Sequence, residues 1–249
     1  MKNYTRITGA VLCSLSLLGA LAACDEPQDS VGQDPEGTAP DYCLELDGDG
    51  DFVSIAHHEV FDLGETWTVE CWAVLDDNGA PRPLIRKGDA QVDTASFYVY
   101  GNSVDGVATA GYRINQLNLV HQVVSADTLG AEVWHHLALV NDGQRLTLYV
   151  DGITEGSSPT DAEPIVTDES DLFFGTNLRQ ESFLMGKLDE VRISTVARYD
   201  GDFEPAERFE LDGQTSALWH FDEGEGAGVF DEALGLRGDL HGDVAFVER

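Results

Sequence analysis

Asp47-Gly48-Asp49-Gly50-Asp51 places three carboxylates within five residues. Carboxylates crowded this closely repel one another, and a hard divalent cation with oxygen ligands relieves the repulsion. The spacing does not match a helix–loop–helix calcium loop, which needs Gly at its sixth position and a bidentate Glu at its twelfth. Counted from Asp47 those positions hold Phe52 and His58; counted from Glu45 they hold Gly50 and Ala56. The apolar stretches LEL and FVSI flank the acids, so Asp and Gly serve first as a hairpin turn, and a cation site is the second reading.

Other chemistry is sparse. His135 and His136 are adjacent on an extended segment and therefore point to opposite faces, while His57-His58 falls in a loop; neither pair has the spacing of a zinc site. There is no G-x-S-x-G elbow, no cysteine with nucleophile partners and no phosphate-binding glycine loop. Aromatic and amide side chains gather in SFYVYGN, GYRINQLN and FFGTNLRQ. There Tyr98, Tyr100 and Tyr112 offer rings that stack on sugars, and Asn115, Gln116, Asn118, Asn177 and Arg179 offer groups that read hydroxyls. The same residues are also ordinary strand composition.

The charge narrows the partners. Fourteen basic residues stand against 46 acidic ones, a net charge of −32, which repels nucleic acid and anionic lipid. Lys2 and Arg6, followed by an apolar run from Ile7 to Leu21 and small residues, form a secretory leader. The run is short and interrupted for a membrane-spanning helix. Residues 25–41 are rich in Pro, Gly, Asp and Glu, and read as a flexible tether. Past the tether, Cys43 and Cys71 enter an oxidising compartment, where a pair tends to form a disulfide. Strand phase opposes the bridge, since Cys43 shares a side with Glu45 while Cys71 shares one with Val69 and Ala73. A disulfide and two free thiols both remain open.

From residue 42 the chain alternates apolar and polar residues in short runs, bounded by Gly, Asn, Asp or Pro every ten residues or so. TWTVECWAVL, SFYVYG, GYRINQL and HQVVSA follow this pattern. WHHLALVNDGQRLTLYVDG is the clearest hairpin, with Asp142-Gly143 supplying the turn. Such a chain is all-β and predicts a two-sheet antiparallel sandwich or jelly roll over residues 42–249, with a closed barrel as the structural alternative.

Two resemblances add to this reading. Leu21-Ala22-Ala23-Cys24 resembles the lipobox of bacterial lipoproteins, in which residues 1–23 are removed and Cys24 is acylated. That implies anchoring to the bacterial cell envelope through lipid alone, periplasmic or at the outer surface, with the tether spanning 24–41. WHHLALVNDGQRLTLYVDG, LFFGTN, GKLDEVRIS, TWTVECWAVL and LELDGDGDFVSI together resemble the laminin-G-like, concanavalin-A-like jelly-roll family. The resemblance implies a rim calcium ion, with Asp47, Asp49 and Asp51 as ligands and Asp189 brought alongside. It also implies that the strands of the C-terminal ALWHFDEGEGAGVFDEALGLRGDLHG fold back into the same domain. The acidic run that the family's hydrolytic members carry on one strand is not present here, so the expected role is non-catalytic binding of carbohydrate or of an envelope or matrix protein.

Overall fold

The alternation in WTVECWAVL becomes a strand whose Val69, Cys71 and Ala73 are fully buried in the core, while Trp72 points the other way and keeps part of its surface in solvent. The same logic repeats along the chain in the computed structural model, which describes residues 40–249 apart from 77–81, 90–93, 103–105, 115–118, 161–164 and 167–168. The strands run in order β1 (Tyr42–Asp47), β2 (Phe52–Ile55), β3 (Trp67–Leu75), β4 (Arg82–Asp89), β5 (Thr94–Asn102) and β6 (Val107–Ile114). Next come β7 (Leu119–Thr128), β8 (Trp134–Asn141), β9 (Arg145–Val150), β10 (Ile153–Pro159) and β11 (Leu172–Phe174). The last are β12 (Met185–Ser194), β13 (Thr215–Trp219), β14 (Gly228–Phe230), β15 (Arg237–His241) and β16 (Ala245–Glu248).

They form two antiparallel sheets. Sheet I has the order β10-β9-β8-β3-β12-β1-β16, with β13 also paired to β12, and sheet II has the order β14-β15-β2-β11-β4-β5-β6-β7. Between the sheets lies one apolar core, in which Trp67 of sheet I meets Tyr112 of sheet II edge to face at 5.3 Å. Tyr112 is thus fully buried and serves the core, which removes it from the ligand-binding set that its sequence neighbourhood suggested. The C-terminal segment folds back as expected: β13 and β16 extend sheet I, and β14 and β15 extend sheet II. This is the jelly-roll sandwich that the strand spacing predicts.

The acidic turn is not a hairpin. β1 belongs to sheet I and β2 to sheet II, so Asp47–Asp51 carries the chain across the sandwich. Asp51 explains the tightness of this corner, because its carboxylate accepts the backbone N–H of Asp47 at 3.0 Å and of Asp243 at 2.6 Å. The true hairpin is β8–β9, where Asp142 Oδ1 accepts from Gln144 and Arg145 backbone N–H groups and Gly143 takes a left-handed φ of 85°.

Phase and distance also decide the cysteines. β1 and β3 flank β12 on opposite sides, which puts them about 10 Å apart, whereas a disulfide requires Cα atoms within about 7 Å. Cys71 faces the core and Cys43 the other side of the sheet, and both are buried free thiols. Of the two alternatives left open by the sequence, the structure has the free thiols and not the bridge. Burial pushes the Cys43 thiol up to about 12, and raises that of Cys71 further.

Candidate functional site

The outward positions of the two sheets differ in what covers them. On sheet I, residues 195–214 between β12 and β13 lie over the outer side of the strands as a strap. Thr68 Oγ1 donates to the Val196 carbonyl at 2.8 Å, Trp72 Nε1 donates to the Ala206 carbonyl at 2.9 Å, and Tyr199 and Phe203 stack at 3.5 Å over Ala138, Val140 and Tyr149. The strap closes on Gly152, where a Cβ would run into the Phe203 carbonyl. Beneath it Glu70 is wholly buried. Arg192 Nε at 2.8 Å, Tyr199 OH at 2.8 Å and His136 Nε2 at 3.1 Å surround its carboxylate. Burial alone would raise the Glu70 pKa, but the His136 hydrogen bond and the Arg192 charge overcome it and hold the carboxyl below its ordinary value. This is a structural ion cluster.

On sheet II the cross-strand register aligns one residue from each of seven strands. Asp239 of β15 lies opposite Ser54 of β2, Ser54 opposite Phe173 of β11, and Phe173 opposite Arg86 of β4. Arg86 in turn faces Tyr98 of β5, Tyr98 faces Gly111 of β6, and Gly111 faces Gln122 of β7. At about 4.8 Å per strand this row runs about 29 Å across the sheet. Its side chains alternate with the core residues Val53, Phe174, Ile85, Phe97, Val99 and Ala110, and so point away from the core.

The middle of the row is pre-arranged. Gly111 has no side chain, and the phenol of Tyr98 fills the space: a Cβ there would lie 2.8 Å from the Tyr98 hydroxyl oxygen. Tyr98 OH then donates to Gln122 Oε1 at 3.2 Å. Burial pushes its pKa up to about 12, so the ring stays neutral. Arg86 donates from Nη1 to Tyr100 OH at 2.6 Å, and its guanidinium carbon lies 5.7 Å from the ring centres of both Tyr98 and Tyr100. Toward β15 the aromatic surface continues through Phe173, Phe52 and His241. Phe52 and His241 stack at 4.2 Å, and His241 Nε2 is hydrogen-bonded to Ser54 Oγ at 2.7 Å.

The predicted site residues thus separate. Tyr98 and Tyr100 meet on sheet II with Arg86, Phe173 and Gln122, none of which was singled out from sequence; the available signal was the period-two phase that Tyr98 and Tyr100 share within β5. Asn177 is committed elsewhere, because its Oδ1 accepts the backbone N–H groups of Arg179 and Glu181 in a tight loop that leaves Arg179 exposed. Asn115 and Cys24 lie outside the described residues.

The four acids that the resemblance implies for calcium do not form one set. Met185 of β12 faces Asp47, and Asp189 lies four residues further along, about 13 Å away. Asp189 is buried at the bulge where β12 changes partner from β1 to β13, and Arg249 Nη1 approaches it at 3.2 Å. Burial pushes its pKa up to about 8 despite the Arg249 charge, with Glu190 adding to the rise. Among the described residues no three His, Cys, Asp or Glu side chains group in a way that could hold a metal ion.

Two face-packed antiparallel sheets with this connectivity define a jelly-roll sandwich of the lectin-like class. A laminin G family model of the concanavalin A-like lectin/glucanases superfamily matches residues 47–202, and the chain belongs to that family. Among solved structures it is similar to a Bacteroides ovatus protein with a proposed role in carbohydrate binding, at 15% identity and a TM-score of 0.64 over 85% of this chain; the chain spans 60% of the length of that protein. It is also similar to the CBM40 module of the Ruminococcus gnavus IT-sialidase, solved with α2,3-sialyllactose, at 13% identity and a TM-score of 0.53 over 63% of this chain and 91% of the module. A search of curated proteins gave no match.

Proposed function

We propose that the protein is a non-catalytic carbohydrate-binding module of the bacterial envelope, tethered by a lipid on Cys24, and that it holds an extended glycan along the Asp239–Ser54–Phe173–Arg86–Tyr98–Gly111–Gln122 row. The observation that carries this reading is the row itself. Rings and a guanidinium lie mid-sheet where pyranose faces stack, and hydroxyl, amide and carboxylate groups stand beside them to receive sugar hydroxyls. The two structural neighbours with carbohydrate-binding descriptions are in keeping with it. Hydrolysis needs two carboxyl groups flanking a glycosidic bond, and the row offers one, Asp239, which is paired with Arg237 at 2.9 Å.

A broad glycan array tests the reading. The expected result is capture of one polysaccharide class by the wild type and its loss on Tyr98→Ala and on Phe173→Ala, with both variants folded by circular dichroism. No capture, together with a protein partner recovered by cross-linking at the cell surface, would replace it with an adhesion role. The anchor has a separate test: Cys24→Ala is expected to release the protein from the membrane fraction, and continued partition as an acylated species would refute lipidation at this residue.

A further inference from the structure

We propose that a second site, a cleft at the uncovered end of sheet I, binds a protonated amino sugar. It does not rest on the sheet II row. Away from the strap, sheet I carries a cross-strand row in which Trp134 of β8 faces Val74 of β3, Val74 faces Lys187 of β12, and Lys187 faces Glu45 of β1, with the Arg249 guanidinium carbon 5.0 Å from the Trp134 ring centre. Over this row lies a cleft of about 840 Å³, within the range of small-ligand sites. Val74, Leu75, Val133, Trp134 and Met185 give it an apolar lining, and Val133 keeps half its surface in solvent.

Its charged groups are unbalanced. Glu45, Asp47, Asp76 and Glu132 bring four carboxylates to the lining; Lys187 leans on Glu45 at 3.9 Å and the charge of Asp76 acts on Arg82, so the excess negative charge is that of Asp47 and Glu132. The Glu132 backbone is held at a left-handed φ of 59° by its N–H bond to the Leu75 carbonyl at 2.8 Å, which fixes this residue at the rim. A ligand matched to such a lining carries positive charge, presents many hydrogen-bond donors and has one apolar face for Trp134. A glucosamine ring has all three.

A basic peptide would satisfy the charge but not the backbone. β8, β3, β12 and β1 are each paired on both sides, so the floor of the cleft has no free strand edge for an extended peptide to join. Residues 24–39 of this chain contain no Lys or Arg and do not match the acidic rim.

Titration calorimetry with a glucosamine pentamer, an N-acetylglucosamine pentamer and pentalysine tests the assignment. The expected result is binding of the glucosamine pentamer at least tenfold tighter than either of the others. Trp134→Phe and Glu132→Gln should each weaken it several-fold, Trp134→Ala more, and the equally charge-reducing Glu210→Gln, exposed on the strap, should leave it unchanged. Equal binding of the acetylated pentamer or of pentalysine, no binding of the glucosamine pentamer, or an equal loss on Glu210→Gln would overturn it.

Discussion

Glu70 and Tyr98 occupy comparable places, each in mid-strand and each pointing away from the core, yet Glu70 is wholly buried and Tyr98 keeps part of its ring in solvent. The difference is the strap. On sheet I, residues 195–214 bring Tyr199, Phe203 and Phe209 down over the outward positions, and the charges there become a desolvated cluster that holds structure. On sheet II the outward positions of β2, β11, β4, β5, β6 and β7 form a continuous row, and the rings there remain partly accessible. Two faces with the same alternation thus end differently: one closes the fold and the other keeps its rings partly in solvent.

The covered face depends most on Glu70. Glu70→Ala leaves the buried Arg192 guanidinium without its carboxylate and is expected to destabilise the protein by about 3–5 kcal/mol in urea denaturation. Tyr98→Ala is expected to cost no more than about 1–2 kcal/mol. Equal losses at the two positions would contradict the division of roles.

Gly111→Ala acts on the open face alone. The added Cβ meets the His121 carbonyl and the Tyr98 hydroxyl, so the phenol must leave its seat. Glycan affinity should fall about tenfold, or about 1.4 kcal/mol, as read by calorimetry with the best array ligand, and the covered face should not respond.

Asp189 gives a pH signature to the covered face alone. Its folded pKa of about 8 lies above its ordinary value, so the protonated form favours folding. That stability is complete below about pH 4 and is lost as pH rises through about 8. Asp189→Asn stays neutral, so the difference in urea midpoint between variant and wild type should shift in the variant's favour from about pH 5 to about pH 8. A difference independent of pH would show that Asp189 is ionised throughout. The smallest expected effect concerns the thiols. Cys43 and Cys71 are free and buried, so a reductant should move the melting temperature by less than about 1 °C, and a thiol reagent should label both only on unfolding.

Period-two alternation made most of the fold legible, since inward residues such as Val69, Phe97 and Leu139 repeat it without interruption. The hairpin at Asp142-Gly143 was equally readable, because local turn chemistry sets it. The acidic corner was misread because Asp and Gly serve a turn within a sheet and a crossing between sheets alike; only the pairing of β2 with β11 and β15 separates the two. Tyr112 failed for a related reason, since an aromatic residue in a strand reads the same on either face until Trp67 is found opposite it. The row on sheet II was half legible. Tyr98 and Tyr100 share a phase within one strand, but Phe173, Arg86 and Gln122 join them only through long-range register, which no local pattern encodes. The strap was invisible for the same cause, because its aromatic residues match a surface that other parts of the chain supply.

Calorimetry of the array-selected ligand against wild type, Tyr98→Ala and the exposed strap variant Glu210→Gln decides whether the row on sheet II holds a glycan. At least a tenfold loss is expected on Tyr98→Ala, with Glu210→Gln indistinguishable from wild type. Unchanged affinity in Tyr98→Ala, with the protein folded, would contradict it.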